Sequence, residues 1–183
     1  MNKRTAIIAG VVAVVGLSAI GAVAWMNRAD PHNERDVAFA SNMVPHHEGA
    51  VSMADTLLAK EGIPADVQAL AKRIKGAQQP EIDQMSGWLR NWGVQSMAGH
   101  GGHTMMISGM MSDAEMSAFE DAEGTQAARL FLEGMITHHK GAIEMAQVEL
   151  DGGQFAEAVS LARTIIAQQT KEISEMESLL EKL

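Results

Sequence analysis

One twelve-residue phrase occurs twice in this chain, 92 residues apart: Met43-Val44-Pro45-His46-His47-Glu48-Gly49-Ala50-Val51-Ser52-Met53-Ala54 and Met135-Ile136-Thr137-His138-His139-Lys140-Gly141-Ala142-Ile143-Glu144-Met145-Ala146. Two copies of one segment are expected to form the same element, so the repeat constrains the architecture before any single residue does. Taken at about 100° per residue from Met43, the side chains of Phe39, Met43, His46, His47, Ala50, Met53, Ala54 and Leu57 fall within a sector of about 120°. Glu48, Ser52 and Asp55 fall opposite. The spacing predicts a helix with two imidazoles in the middle of its core-facing stripe.

Gly62 and Pro64 then end one helix and start the next. That second helix carries Leu70, Ile74, Gln78, Ile82, Met85 and Leu89 at core spacing, and the short connection makes it antiparallel to the first. The plan recurs. Phe131, Met135, His138, His139, Ala142, Met145 and Ala146 match the first helix, while Leu161, Ile165, Gln169, Glu172, Ile173, Met176 and Leu180 match the second at an offset of 91. Asp151-Gly152-Gly153 supplies the turn between them, and Ser112-x-x-Glu115 is a capping-box start for a lead-in helix before Gly124. Two repeated helical hairpins predict an all-α four-helix bundle in which both His-His pairs approach one core.

Composition agrees. Tyrosine and cysteine are absent and methionine occurs 14 times, so a core rests on Ala, Leu, Ile, Val and Met, which suits helices. Without thiols, a metal would be held by His, Met or carboxylate. With Lys3 and Arg4 set aside, the chain carries 12 Lys+Arg against 23 Asp+Glu, which disfavours nucleic acid and favours cations. Residues 1–29 read as a signal peptide or transmembrane anchor: Lys3-Arg4 precede an uncharged run over residues 5–26, whose 22 residues would span about 33 Å as a helix. The positive flank keeps the N-terminus cytoplasmic and sends residues 30–183 outside the cytoplasmic membrane, to the periplasm or cell surface. Within that domain, residues 93–111 form an uncharged Gly/Met/His strap joining the hairpins, with Met97, His100, His103, Met105, Met106, Met110 and Met111 as soft ligands on a flexible backbone.

The repeated phrases, the segment Gly109-Met110-Met111-Ser112-Asp113-x-Glu115-Met116 and the run Phe131-Leu132-x-x-Met135-Ile136-x-His138-His139 together resemble the bacterial family known as domain of unknown function 305, which includes CopM-like copper-binding proteins. The resemblance extends over about residues 36–182. It implies a ferritin-like four-helix bundle, exported or membrane-anchored, that binds copper through Met and His and helps cells tolerate it. Members of that family usually have proline before the His-His pair; this chain has Pro45 in the first copy and Thr137 in the second.

The residues themselves point the same way. Met43 stands three and four residues from His46 and His47, and Met135 repeats the arrangement, so a thioether and an imidazole can converge from one helix face. His46 and His47 diverge by about 100°, which sends one imidazole of each pair toward another helix. Thioether with imidazole favours Cu(I), and its analogue Ag(I), over zinc or iron. The candidate metal ligands are Met43, His46, His47, Met53, Met135, His138, His139 and Met145, with the strap residues as an outer loading station. Gln78 and Gln169 are candidates for fixing histidine tautomers from the partner helices; Glu81 and Glu172 read as solvated flank. An inward histidine is ordinarily a hydrogen-bonded core residue and an inward methionine ordinarily packing, but repetition of the whole constellation argues for a site.

No nucleophile with its base, phosphate loop or nucleotide fingerprint is present. The expectation is a binding protein that captures Cu(I) for buffering, tolerance or delivery to copper-transfer proteins, with its oligomeric state left open. Two rivals remain: a ferritin-like metal oxidase, and a metal-free structural or sensory bundle. The oxidase reading needs inward glutamates in Glu-x-x-His spacing, which the phrases lack.

Overall fold

In the computed structural model, which describes residues 31–94 and 108–183, the first phrase lies on helix α1, Glu34–Leu58, and the second on helix α4, Gly124–Leu150. Helix α2, Ala65–Asn91, and helix α5, Ala156–Leu180, are their hairpin partners, and a short α3, Asp113–Asp121, leads into α4. Helices are the only regular elements among the described residues.

Local chemistry sets the boundaries. Asn33 caps α1 by accepting from the backbone of Arg35 and Asp36, while the Asp36 carboxylate returns to Asn33 N at 2.6 Å. This reciprocal box was not read from the sequence. The expected one, Ser112 with Glu115, does start α3. Gly62 turns the first hairpin at φ +72, a conformation that costs a residue without Cβ nothing. Asp151-Gly152-Gly153 turns the second. Helix α1 runs unbroken through Pro45, and α4 through Thr137, whose hydroxyl donates to Glu133 O at 3.2 Å.

Burial follows the expected stripe closely. Phe39, Met43, His46, His47, Ala50, Met53, Ala54 and Leu57 are all buried on α1, as are Leu70, Ile74, Gln78, Ile82, Met85 and Leu89 on α2. On α5 the stripe is rotated slightly: Leu179 rather than Leu180 is buried, and Ile173 is half-buried. Helices α1 and α4 cross antiparallel at the centre, so Met53 meets Phe131 and Met135 in one apolar cluster, and Met43 meets Ala142 and Ala146 in another. Each fully buried Leu, Phe or Met there contributes about 1.5–3 kcal/mol. At one end Trp88 and Trp92 meet Phe155 edge-on, and His32 stacks on Trp92 with ring centroids 4.6 Å apart.

Some expectations lie outside the described residues: the apolar run 5–26, and the strap residues Met97, His100, His103, Met105 and Met106. Among the described residues no helix is long and apolar enough to cross a membrane.

Candidate metal centre

Along each of the four long helices the buried histidines and glutamines fall between the two apolar clusters: His46 and His47 on α1, Gln78 on α2, His138 and His139 on α4, Gln169 on α5. The duplicated stripe therefore builds one polar layer across the middle of the bundle. At its centre His46 and His138 meet ring against ring, with centroids 3.6 Å apart. His47 and His139 lie outward of them, at 6.3 and 6.4 Å from their chain neighbours.

Every one of these imidazoles uses the same nitrogen. His46 Nε2 donates to Ser108 O at 3.2 Å, and His138 Nε2 to His46 O at 2.8 Å. His47 Nε2 donates to Glu81 Oε2 at 2.8 Å and His139 Nε2 to Glu172 Oε2 at 2.6 Å. Carbonyl and carboxylate oxygens only accept, so each ring carries a proton on Nε2, and a ring in its neutral form has its bare lone pair on Nδ1. All four Nδ1 atoms are buried without a hydrogen-bond partner. Burial, reinforced by the neighbouring His47, holds His46 in its neutral form with a pKa lowered to about 3, and burial with the facing His46 lowers His138 well below the ordinary range.

Glu81 and Glu172, read from the sequence as solvated flank, are instead the groups that orient His47 and His139; their side chains are only 12% and 20% exposed. The physical reason is cross-hairpin reach: each sits one turn beyond the core glutamine of its helix and bends inward to a buried N–H donor. Gln78 and Gln169 are buried in the same layer but make no bond to an imidazole. Both amide atoms of Gln78 and Oε1 of Gln169 lack partners.

The thioethers divide. Met43 and Met145 pack with the cluster on one side of the layer, Met53 and Met135 with the cluster on the other, so Met43 and Met135 flank the histidines from opposite sides rather than joining them at one point. Of the strap ligands, Met110 and Met111 are described: Met110 is 43% exposed, and Met111 packs against the cluster holding Met53 and Met135. Among the described residues no group of three or more His, Asp or Glu side chains is placed to hold a metal ion. Buried unprotonated nitrogens bordered by sulfur suit a soft ion that accepts few ligands.

A further buried acid lies outside the layer. Asp36 accepts from the backbone of Asn33, Gln154 and Phe155, the last at 2.9 Å. Burial pushes the Asp36 carboxyl up, yet these bonds and one from Glu149 outweigh it and leave it below the usual range. No N–H reaches either oxygen of the fully buried Glu149, whose carboxyl interacts with that of Asp36. Burial first, and then Asp36, raise Glu149 to about 8.

Residues 36–180 match the family model described as domain of unknown function (DUF305). A DUF305 fragment from Deinococcus radiodurans superposes with a TM-score of 0.75 at 33% identity, covering 84% of this chain and 99% of that one. A DUF305 protein from Streptomyces coelicolor, described as a candidate secreted protein, gives 0.73 at 30% identity over 81% of this chain and 91% of that one. CopM in its Cu(I)-bound form gives 0.67 at 26% identity over 80% and 96%, and CopM structures with Cu(II) and with Ag bound are similar as well. Among curated proteins no relative matches.

Proposed function

The chain belongs to the DUF305 family, and from that premise we propose that it captures Cu(I) outside the cytoplasmic membrane through Met and His, holding it without turnover for buffering, tolerance or delivery. One observation carries the reading: four buried imidazoles whose hydrogen bonds leave every Nδ1 atom unpartnered, in a layer bordered on both sides by methionine. An unpartnered buried polar atom costs about 1–3 kcal/mol. Four such atoms of one kind in one layer argue for a ligand that relieves them.

The chain's own groups prepare that ligand's place. Burial keeps His46 and His138 unprotonated, so no proton has to leave before a metal binds. Glu81, Glu172, Ser108 O and His46 O lock the tautomers, and a carboxylate on the far nitrogen raises the donor strength of the near one. His46, His47, His138 and His139 supply imidazole; Met43, Met53, Met135 and Met145 supply thioether and select for a soft ion. The rival oxidase reading lacks the inward Glu-x-x-His pairs of a carboxylate-bridged site. Export with residues 5–26 as an anchor, and hand-over to copper-transfer proteins, complete the proposal.

Its test is anaerobic competition. The full chain should retain Cu(I) or Ag(I) in preference to Zn(II), and Ag(I) should shift the Nδ1 rather than the Nε2 resonances of the four histidines in nitrogen NMR. Equal or tighter retention of Zn(II) would defeat the proposal.

A further inference from the structure

The start of α1 is tied to the turn between α4 and α5 through Asn33 and Asp36. Asn33 Nδ2 donates to Gly152 O at 2.8 Å, and the Asp36 carboxylate accepts from Gln154 N at 3.0 Å and Phe155 N at 2.9 Å. Glu149 joins Asp36 at this junction. Both carboxyls are fully buried, and the two glycines of the turn leave room for the charged groups: a Cβ on Gly153 would collide with Glu149 Oε1, and one on Gly152 would stand 2.8 Å from Arg35 Cδ.

The fold itself does not require acids here. At the repeat offset of 92, Asp36 corresponds to Ala128 and Glu149 to Leu57, both fully buried in the apolar cluster on the other side of the histidine layer. One half of the molecule thus packs with a methyl and an isobutyl group where the other buries two carboxyls. Only the acidic version can respond to protons. Asp36 accepts backbone N–H bonds from Asn33, Gln154 and Phe155, whereas no N–H reaches either oxygen of Glu149. The charged groups acting on Glu149 are Asp36 and Arg35, both of α1; Glu34 lines the groove that Arg35 and Glu149 share, and Asp151 turns away to accept from Gln147 at 3.0 Å. A second buried negative charge beside Asp36 is disfavoured by desolvation and by repulsion together.

We propose that Asp36 and Glu149 form a proton-operated latch: with Glu149 protonated the α1 start and the turn 151–155 stay docked, and as Glu149 ionises this end of the bundle opens locally while the rest remains folded. The latch operates whether or not the histidine layer takes a metal. Opening hands Glu149 to water, where it titrates near 4.5, whereas burial and Asp36 push it up to about 8 in the closed form. Between those values opening releases a proton, so it becomes about tenfold easier per pH unit across that window and changes no further above it. Phe155 carries the movement onward, since it meets Trp88 and Trp92 edge-on and Trp92 stacks on His32.

Amide hydrogen exchange of the full chain, followed by NMR from about pH 5 to 9 and corrected for intrinsic base catalysis, tests the latch. The amides of Gln154 and Phe155 should lose protection about tenfold per unit up to pH 8 and then level off. They should also exchange faster than core amides such as those of Leu70 and Ile74, which wait for global unfolding. Glu149→Gln should hold Gln154 and Phe155 at their low-pH protection throughout. Equal protection at the latch and the core would show that this end opens only with the whole molecule and would overturn the proposal. A flat profile, or one that Glu149→Gln leaves in place, would overturn it as well.

Discussion

Replacing Glu149 by Gln should stabilise the protein at neutral pH, although it alters a fully buried residue. Burial and Asp36 push folded Glu149 up to about 8, whereas an unperturbed glutamate titrates near 4.5. Between those values the native state holds a proton that the unfolded chain has released, so stability falls as pH rises, by about 1.4 kcal/mol per unit. The contribution is complete below pH 4.5 and declines to its minimum above 8. At pH 7 the cost to the wild type is about 3 kcal/mol. Gln fills the same space and donates an N–H to Asp36 at every pH, so the variant escapes that cost. Urea unfolding followed by circular dichroism, from pH 5 to 8, should give two curves that converge at low pH and separate steadily above it. Taking the difference cancels contributions common to both proteins. Parallel curves would show that folded Glu149 is not raised above the ordinary carboxyl range and would refute the reasoning.

Other perturbations probe the histidine layer. Combined His46→Ala and His47→Ala, or His138→Ala and His139→Ala, should weaken Cu(I) binding with little change in helical circular dichroism, because the amphipathic stripe survives; loss of helicity in the apo variants would make the imidazoles structural. Glu81→Ala and Glu172→Ala should each cost about 1–3 kcal/mol in chemical unfolding by stranding a buried N–H, with Gln at either position costing less. Gly141→Ala should cost about 1–3 kcal/mol and loosen the strap, since its new methyl collides with Ser108 O; unchanged hydrogen exchange at residues 108–112 would count against this. Below pH 6.5 the neutral His46, lowered to about 3, binds fewer protons than the unfolded chain, so the apo protein should lose about 1.4 kcal/mol per pH unit from this group as acid is added, which His46→Gln removes from the unfolding profile.

How far these features could be read in advance depends on their range in sequence. The helices, their turns and the inward histidines follow from apolar spacing within a few turns, and the repeat supplies each pattern twice. The role of Glu81 and Glu172 was missed because a carboxylate at the edge of a stripe is ordinarily solvated. The signal was present nonetheless: Gln78-x-x-Glu81 recurs as Gln169-x-x-Glu172, at the offset of the helices that carry it. Asp36 and Glu149 have no such trace, being far apart in the chain and each without a repeat-mate; only the docking of the α1 start against the second turn brings them together. The same holds for Ser108, whose carbonyl acts through backbone and leaves no mark in residue type.

That carbonyl also bears on why the two hairpins share a chain. A half-length ancestor carrying one hairpin would pair as a homodimer, and exact two-fold symmetry would oblige both central imidazoles to find the same kind of acceptor. In the fused molecule His138 uses the carbonyl of His46, whereas His46 uses that of Ser108, an atom from the linker that exists once per molecule. Covalent joining thus supplies more than a high effective concentration of one half for the other. It gives duplicated residues different neighbours, and so lets selection act on one histidine of the pair without imposing the same change on its twin.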